Sequence, residues 1–220
     1  MNYQITRYPF DPVALDTGLN ILSVEDTQLF FDFCQDFQSE EGKTIITSGG
    51  KQLVMQKNMT FFGDVTRVFD FNQLYLKAAI KTLSKNFDEM DLQQLDDLNG
   101  QINRLFTKVI FSSNLPIDLN LEFDLMETIK SRKIVIDMPI LNTPYDKIRS
   151  TIDLAAELSD PHLLVFTNAF QYLTMGQTNQ LAEYSRSMER NVLFLERFDS
   201  KIDLTEAANS YFFDKDFVQF

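Results

Sequence analysis

The spacing of apolar residues predicts an alternation of strands and helices over most of the chain. Residues 19–26 form a short apolar run typical of a buried strand, and residues 26–38 follow it with helical spacing. The same order returns further along as "KIVIDMP", "PYDKIRSTIDLAAEL", "HLLVFTN", "TMGQTNQLAEYSRSM" and "NVLFLE". Because strands that alternate with helices usually form a parallel sheet with helices on its faces, the predicted fold class is α/β.

A second pattern interrupts this alternation. "KTIIT" and "KQLVMQ" are strand-like runs separated by "SGG", which predicts a hairpin. Apolar residues then recur at helical spacing from about residue 70 to 111, which predicts two long helices. The simplest domain division is an α/β head of residues 1–66 and 131–220, interrupted by a helical insertion of residues 67–130.

Composition narrows the class of protein. The 220 residues include 21 phenylalanines and are 44% hydrophobic, as expected of a folded chain with a large core. The N-terminal residues lack a basic stretch followed by an apolar run, and no uncharged apolar segment reaches the roughly 18 residues of a membrane helix. We therefore expect a cytoplasmic protein with no membrane partner.

The distribution of charge bears on a nucleic-acid partner. The net charge of −12 argues against one, since phosphate contacts need Lys or Arg. Residues 43–85 nevertheless hold seven basic and two acidic residues, a net +5, which leaves −17 for the rest of the chain. Lys77, Lys81 and Lys85 recur every four residues, so a helix places them on one stripe. This segment either contacts a DNA backbone or is an exposed face that serves only solubility.

Motifs of nucleotide hydrolysis and of histidine or cysteine catalysis are incomplete. "FQSEEGKT" and "SGGKQ" approach a phosphate-binding loop, but Phe37 replaces the first glycine of one and Gln52 the Mg-binding hydroxyl of the other. A hairpin turn is the better prediction for both. In proteins that hydrolyse nucleotides, an acid at the end of a strand binds the magnesium ion, but the strand "LLVFTN" ends in Asn168. His162 is the only histidine and is expected at the surface of a strand edge, whereas Cys34 is expected to pack as a small hydrophobe.

Acidic residues gather in two places. Glu25 and Asp26 end one predicted strand and Glu196 ends another, so these carboxylates either converge at the carboxyl edge of the sheet or remain solvated strand ends. The stretch "IDLNLEFDLME" is a catalytic metal site, a structural metal site or the wet face of a strand. Its oxygen-bearing residues are Asp118, Asn120, Glu122, Asp124 and Glu127.

Five motifs in order resemble one known family. They are "ILSVEDTQLFFDFC", "LEFDLMETIKS", "LLVFTNAFQYLT", "NVLFLE" and a terminal "SYFFDKDF", with the helical insertion between the first two. The chain resembles the Csn-two family of type II-A CRISPR systems over essentially its whole length, and it has the length of the shorter members. The resemblance implies a head related to nucleotide-binding folds and an inserted helical leg.

The resemblance also implies a function. Members of the family are non-enzymatic homotetrameric rings that enclose linear double-stranded DNA and bind its ends without sequence preference. They act in spacer acquisition, alongside the CRISPR integrase complex and the guide-RNA effector nuclease. Basic side chains line the central hole of the ring. The matching residues in this chain are Lys43, Lys51, Lys57, Lys77, Lys81 and Lys85.

Calcium is the implied ion, bound near the junction of head and leg, and the matching stretch is residues 117–127. A strand would project Asp118, Asn120 and Glu122 to one face, and Glu127 would return from the following helix. Asn120 stands where an acid is usual in the family, and the stretch is one residue shorter. Asp124 therefore either completes the ion's shell or caps the helix.

The leading hypothesis is a calcium-stabilised tetrameric clamp on free DNA ends, used in CRISPR adaptation. The alternative is an enzyme, either a metal-dependent nuclease or a weak NTPase that uses Asp118, Glu122 and Glu127. A third class is an acidic scaffold that binds other proteins and no DNA.

Overall fold

The computed structural model describes residues 3–39, 41–113, 115–139, 141–202 and 208–220. The chain divides into two compact units, one made of Met1–Phe69 with Pro139–Phe220 and the other of Asp70–Met138. We call the first the head unit and the second the insertion unit. The insertion unit thus runs to residue 138, beyond the position 130 at which the sequence pattern places its end.

The head unit contains the strands. In the described part of the chain these are β1 (Tyr3–Thr6), β2 (Val13–Leu15), β3 (Gly18–Val24), β4 (Ile45–Ser48), β5 (Lys51–Leu53), β6 (Met59–Asp64), β7 (Leu163–Thr167), β8 (Asn191–Arg197) and β9 (Ala208–Phe213). The larger sheet is parallel throughout, in the order β6-β7-β8-β3-β9. The smaller sheet is antiparallel, in the order β2-β1-β4-β5. The predicted α/β class with a parallel sheet is confirmed.

Six α-helices are described in the two units. They are α1 (Thr27–Asp36), α2 (Phe71–Ser84), α3 (Glu89–Ser113), α4 (Leu125–Ser131), α5 (Pro144–Glu157) and α6 (Met175–Ser187). The head unit holds α1, α5 and α6, and the insertion unit holds α2, α3 and α4. The prediction of two long helices between residues 70 and 111 is confirmed. None of the described helices has the length and apolar character needed to cross a membrane.

The core of the head unit lies on both faces of the parallel sheet. All residues of β3 and β7 are buried, and so are those of β8 except Arg197. On one face, Leu193 and Leu195 pack with Phe33 of α1 and Ile46 of the small sheet. The other face is covered by helices that include α6, whose Leu181 and Ala182 are buried. Each fully buried Leu or Phe side chain on these faces contributes about 1.5–3 kcal/mol to the stability of the folded chain.

The segment "KIVIDMP" is not a strand, contrary to the prediction from its apolar alternation. Its backbone is tied to a side chain of α2: Ile136 N donates to Asn72 Oδ1 at 2.7 Å, and Asn72 Nδ2 donates to Ile136 O at 3.3 Å. These hydrogen bonds explain why the insertion unit extends to residue 138. The edge position in the sheet belongs instead to β6, which the apolar spacing did not predict.

The last described residues turn back along β9. Phe212 N donates to Phe220 O at 3.1 Å, Phe220 N to Phe212 O at 3.0 Å, and Asp214 N to Val218 O at 3.0 Å. Since β3 pairs along the opposite side of β9, the C-terminal end of this strand, at Phe212 and Phe213, has backbone partners on both sides.

The insertion unit has a much smaller interior. Phe71 and Tyr75 of α2 and Ile129 of α4 are buried, and α4 packs against α2. None of the 25 residues of α3 is buried. Apolar side chains of α3 such as Leu105 (67% exposed) and Phe106 (56% exposed) therefore face solvent in the single chain.

Candidate functional site

Three of the predicted DNA-binding lysines lie around the β4–β5 hairpin. The turn consists of Gly49 and Gly50 with φ of 55° and 75°, the left-handed values that a tight two-residue turn requires and that glycine adopts without strain. Lys51 follows this turn, Lys43 precedes β4, and Lys57 ends a short 3-10 turn before β6. All three side chains are exposed, and the predicted hairpin is confirmed.

The other three form the stripe on α2. Lys77 and Lys81 lie within the helix and Lys85 is its C-cap residue, and all three are exposed. At 1.5 Å rise per residue the stripe spans about 12 Å, a length over which duplex DNA carries about seven phosphate charges. Among the described residues, no carboxylate lies within ion-pair distance of these lysines. Their charge is therefore available to a polyanion, and their role in DNA binding stays a prediction.

A further basic group was missed from the sequence. Lys130, Arg132 and Lys133 stand at the end of α4, and all three are exposed. The signal was present as "KSRK", but it lies outside the segment in which basic residues outnumber acidic ones. The group belongs to the insertion unit, as does the α2 stripe.

The acidic stretch of residues 117–127 has a different local structure from the one predicted. Residues 117–124 belong to no strand, and the predicted strand is wrong. Asn120 Oδ1 accepts a hydrogen bond from Glu122 N at 3.1 Å, and Asp118 Oδ1 accepts one from Leu119 N at 2.8 Å. Such local bonds between side chain and backbone compete with strand pairing.

Asp124 has a structural role in the same stretch. Its Oδ1 accepts a hydrogen bond from Glu127 N at 2.9 Å, which makes Asp124 the N-cap of α4. All five predicted calcium ligands are exposed, and in the described part of the chain no three His, Cys, Asp or Glu side chains are grouped as a metal site requires. These side chains are not drawn together as they stand, and the calcium ion and its ligand set stay a prediction.

The loop "FQSEEGKT" is not a hairpin turn but the connection from α1 to β4; Glu40 within it lies outside the described residues. Thr44 donates to Asp36 Oδ2 through both Oγ1 (2.6 Å) and N (2.8 Å). The buried Arg7 guanidinium pairs with Asp36 and donates to Asp32 at 2.9 Å and to Thr44 Oγ1 at 3.0 Å. The hydroxyl and the buried cation are thus engaged with α1, and a phosphate would have to displace carboxylates.

The carboxyl edge of the parallel sheet holds one buried acid. Glu196 is 1% exposed, and its Oε1 accepts a hydrogen bond from Phe170 N at 3.1 Å. Burial raises the pKa of Glu196 to about 8, although backbone N–H groups of Phe170 and Ala169 lower it in part. Glu196 is therefore not the solvated strand end that was one of the two expectations.

Glu25 and Asp26, which were expected to converge on Glu196, have hydrogen-bond partners elsewhere, and a different acid acts on Glu196. Asp26 caps α1 by accepting from Leu29 N at 2.7 Å, and Glu25 accepts from Lys215 N at 3.1 Å. The acid whose charge acts on Glu196 is Asp64, at the end of β6, which was not singled out from the sequence. Asn168 Nδ2 lies 3.4 Å from Asp64 Oδ2, so an amide stands beside this carboxylate.

Asp64 and its neighbours form a hydrogen-bonded edge. Partial burial raises the pKa of Asp64, but hydrogen bonds from Thr66, Asn168 and Tyr172 outweigh it and lower the pKa below its ordinary value. Asp64 is therefore ionised at neutral pH, while Glu196 is largely protonated. A pair of carboxyl groups whose pKa values move apart can share an edge without like-charge repulsion.

His162 and Cys34 have structural surroundings. The His162 ring is 32% exposed, and its Nδ1 lies 3.3 Å from Asp160 Oδ1 and 3.3 Å from Thr60 Oγ1. Cys34 packs against the apolar core, and burial raises the pKa of its thiol to about 11. A thiol with a raised pKa is a poor nucleophile, which agrees with the expectation that Cys34 packs as a hydrophobe.

Comparison with known families decides the class of protein. A family model described as CRISPR-associated protein (Cas_Csn2) matches residues 36–217, most of the chain. This chain belongs to the Csn2 family. It is therefore a CRISPR-associated protein, as the ordered motifs predicted.

Individual members and solved structures agree with Csn2 membership. The CRISPR-associated protein Csn2 of Streptococcus agalactiae is 26% identical over 191 residues, which cover 84% of this chain and 85% of that protein. The crystal structure of Stu0660 of Streptococcus thermophilus aligns with a TM-score of 0.59 over 92% of this chain and 71% of that chain. At 13% sequence identity, this second likeness shows a shared fold.

Proposed function

We propose that this Csn2-family protein is a non-enzymatic homotetrameric ring that binds the ends of linear double-stranded DNA during CRISPR spacer acquisition. The CRISPR integrase complex and the guide-RNA effector nuclease are its proposed partners in that process. The observation that carries the proposal is the exposed stripe of Lys77, Lys81 and Lys85 on α2, whose charge no described carboxylate neutralises.

The chemistry of the stripe suits a DNA backbone and not a base sequence. Lysine ammonium groups on one helix face follow a row of phosphates, and phosphate contacts carry no sequence information. An acidic chain such as this one, with a net charge of −12, binds DNA only if its cations are gathered on one surface. Several copies around one duplex would repeat that surface while the remainder of each chain stays acidic.

Assembly is supported by α3. Five of its apolar residues share one helix face, and each is at least 43% exposed; they are Leu98, Ile102, Leu105, Phe106 and Val109. Contiguous apolar faces of this kind on a soluble chain usually mark a contact surface. We propose that other copies of the chain cover this face, since symmetric homo-oligomers are the commonest soluble assemblies.

Calcium is proposed as a structural ion at residues 117–127. The side chains there offer only oxygen ligands, which calcium prefers. Because Asp118, Glu122 and Glu127 are spread along an exposed segment, an ion would have to draw them together, so the proposal predicts that calcium orders this segment.

The test of ring binding compares one plasmid in two forms, relaxed closed-circular and linearised by a single cut. The linear form should bind tightly in a gel-shift assay and the circular form weakly, because a closed ring threads only a free end. Blocking both ends of the linear DNA with streptavidin before the protein is added should prevent loading. Blocking them after loading should make the complex resist high salt.

Three outcomes would contradict parts of the proposal. Equal binding to linear and circular DNA would rule out threading, and absence of binding to either would leave an acidic scaffold as the better account. Cleavage of either form with magnesium or manganese would indicate a nuclease. Light scattering on the same samples measures the mass of the assembly, and a monomer would contradict the ring.

A charge variant tests the α2 stripe separately. Replacing Lys77, Lys81 and Lys85 with Gln should reduce the slope of log affinity against log salt by about 0.9 for each phosphate that the variant no longer neutralises. Lys201→Gln with Lys215→Gln is the matched control, because both residues are exposed and belong to the head unit, whereas the stripe belongs to the insertion unit. If the stripe variant has the same salt slope as the unchanged protein, DNA binds to a different surface of the chain.

A further inference from the structure

The basic group at the end of α4 has no assigned role. From Thr128 to Ile136 the sequence "TIKSRKIVI" holds three cations and no acid, with the exposed Glu127 and Asp137 directly on either side. Lys130 lies in the last turn of α4, Arg132 is its C-cap residue and Lys133 follows it. All three are exposed, and within the described ranges none forms an ion pair.

Helix stabilisation accounts for only part of this arrangement. Cations in the last turn of a helix interact favourably with its carbonyl end, which suits Lys130 and Arg132. Lys133 has a φ of 52°, a left-handed conformation that glycine or asparagine adopts more readily. Ser159 and Glu189 adopt the same conformation after α5 and α6. This backbone geometry therefore recurs at the ends of helices in the chain and does not depend on the charge of Lys133.

The group lies in the same compact unit as the α2 stripe. The helix α4, in which Ile129 is buried, packs against α2, and the Asn72–Ile136 hydrogen bonds fix the segment after Lys133 to the start of α2. Axes of packed helices lie about 8–10 Å apart, close to the screening length of about 8 Å at physiological salt. Measured from Asn72 at 1.5 Å per residue, Lys77 lies about 8 Å and Lys85 about 20 Å further along the axis of α2. The segment after Lys133 is therefore tied nearest to the Lys77 end of the stripe.

We infer that Lys130, Arg132 and Lys133 form a second row of cations that binds the phosphate backbone of double-stranded DNA. The inference rests on the proposed function and adds binding residues to it. The planar Arg132 guanidinium can hold two oxygens of one phosphate, whereas the two lysines act as point charges. The predicted DNA surface of the insertion unit then comprises two rows on two packed helices.

The first test is a salt titration of binding to linear duplex. Replacing Lys130, Arg132 and Lys133 with Gln should lower the salt slope by about 0.9 for each phosphate left without its cation, as for the α2 stripe. If both rows bind one duplex, the decreases in log affinity should add when the two sets are combined. The Lys201 and Lys215 double variant remains the matched control.

Lys133→Gly separates binding from folding. Glycine suits the left-handed conformation at this position, so the melting temperature should stay equal or rise by about 2 °C. The same change removes one cation and should weaken DNA binding. A loss of affinity together with a loss of stability would mean that Lys133 acts through the fold, and would overturn its place in the row.

The outcomes distinguish this inference from the proposed function. If the unchanged protein binds linear duplex and the triple variant binds with the same affinity and salt slope, the second row is wrong and the function stands. If the unchanged protein binds no linear duplex, the proposed function fails as well. If the triple variant keeps DNA binding but no longer associates with the CRISPR integrase proteins, the group is a protein-binding surface and the inference is overturned.

Discussion

All seven residues of β3 in the head unit are buried, whereas none of the 25 residues of α3 in the insertion unit is. Part of the difference is compositional, because β3 has no charged residue whereas α3 has six charged residues beside ten apolar ones. Helices and a second sheet cover β3 on both faces, while α3 has an apolar stripe that its own chain leaves open. The core of the head unit is thus covered within the chain, whereas α3 has apolar surface that association would bury.

The largest expected difference is between two phenylalanines. Phe194 of β8 is fully buried and Phe106 of α3 is 56% exposed. Phe194→Ala should lower the free energy of unfolding by about 3–5 kcal/mol, because burial is lost and a cavity remains. Phe106→Ala should change it by less than about 0.5 kcal/mol in the dissociated chain. Urea denaturation at low protein concentration measures both values.

Varying the protein concentration tests whether copies associate through α3. If copies associate through α3, the melting temperature of the unchanged protein should rise with concentration, and that of Phe106→Ala should rise less. An equal cost for both variants in a sample shown by light scattering to be monomeric would contradict the exposure of α3.

The second prediction concerns the pH dependence of head-unit stability. Glu196 has a pKa of about 8 in the folded protein because of its burial, against about 4.5 when unfolded. The folded state therefore holds a proton that the unfolded state loses, and stability falls as pH rises from about 4.5 to about 8. At roughly 1.4 kcal/mol per pH unit, Glu196 should cost about 3 kcal/mol between about pH 5.5 and pH 7.5. Glu196→Gln should flatten this slope in urea titrations.

Asp64→Asn is the matched control for Glu196→Gln. The lowered pKa of Asp64 contributes stability above its unfolded pKa of about 3.8, and this contribution is lost only as the pH falls into the acid range. The variant should therefore retain most of the slope between pH 5.5 and 7.5. A slope that persists unchanged in Glu196→Gln would show that another group is responsible.

The smallest effect is expected in the insertion unit, at Asp124. Asp124→Ala removes the N-cap of α4 and should cost about 1 kcal/mol with or without calcium. Asp124→Asn keeps a capping oxygen and loses the negative charge, so its stability should match the unchanged protein in chelator. If Asp124 ligates calcium, Asp124→Asn should weaken the stabilisation that added calcium produces. Equal calcium effects in all three proteins would leave Asp124 as a cap alone.

The parts of the fold that could be predicted are those whose signal is local. The strands β3, β7 and β8 are uninterrupted apolar runs because both of their faces are covered, and α1, α5 and α6 have the period of a half-buried helix. The strand β6 was missed because a bulge between Phe61 and Gly63 breaks its period. "KIVIDMP" resembles a strand, but the side chain of Asn72, more than 60 residues away, binds its backbone.

The candidate functional residues also differ in whether local sequence spacing predicts their placement. The stripe of Lys77, Lys81 and Lys85 follows from helical spacing alone. The burial of Glu196 does not, because it depends on the backbone after β7 reaching across to β8. In the acidic stretch, the alternation of Asp118, Asn120 and Glu122 was compatible with a strand, and hydrogen bonds to neighbouring backbone decided against it.

The return of residues 214–220 along β9 bears on how many copies can join. An open sheet edge accepts a strand from another chain, and that chain offers its own edge to the next, so growth of this type has no natural end. The C-terminal end of β9, at Phe212 and Phe213, is already paired on both sides, and strand addition is blocked there. Copies that meet through side chains on helices can instead be related by a rotation, and such an assembly closes after a fixed number of copies when that rotation divides a full turn.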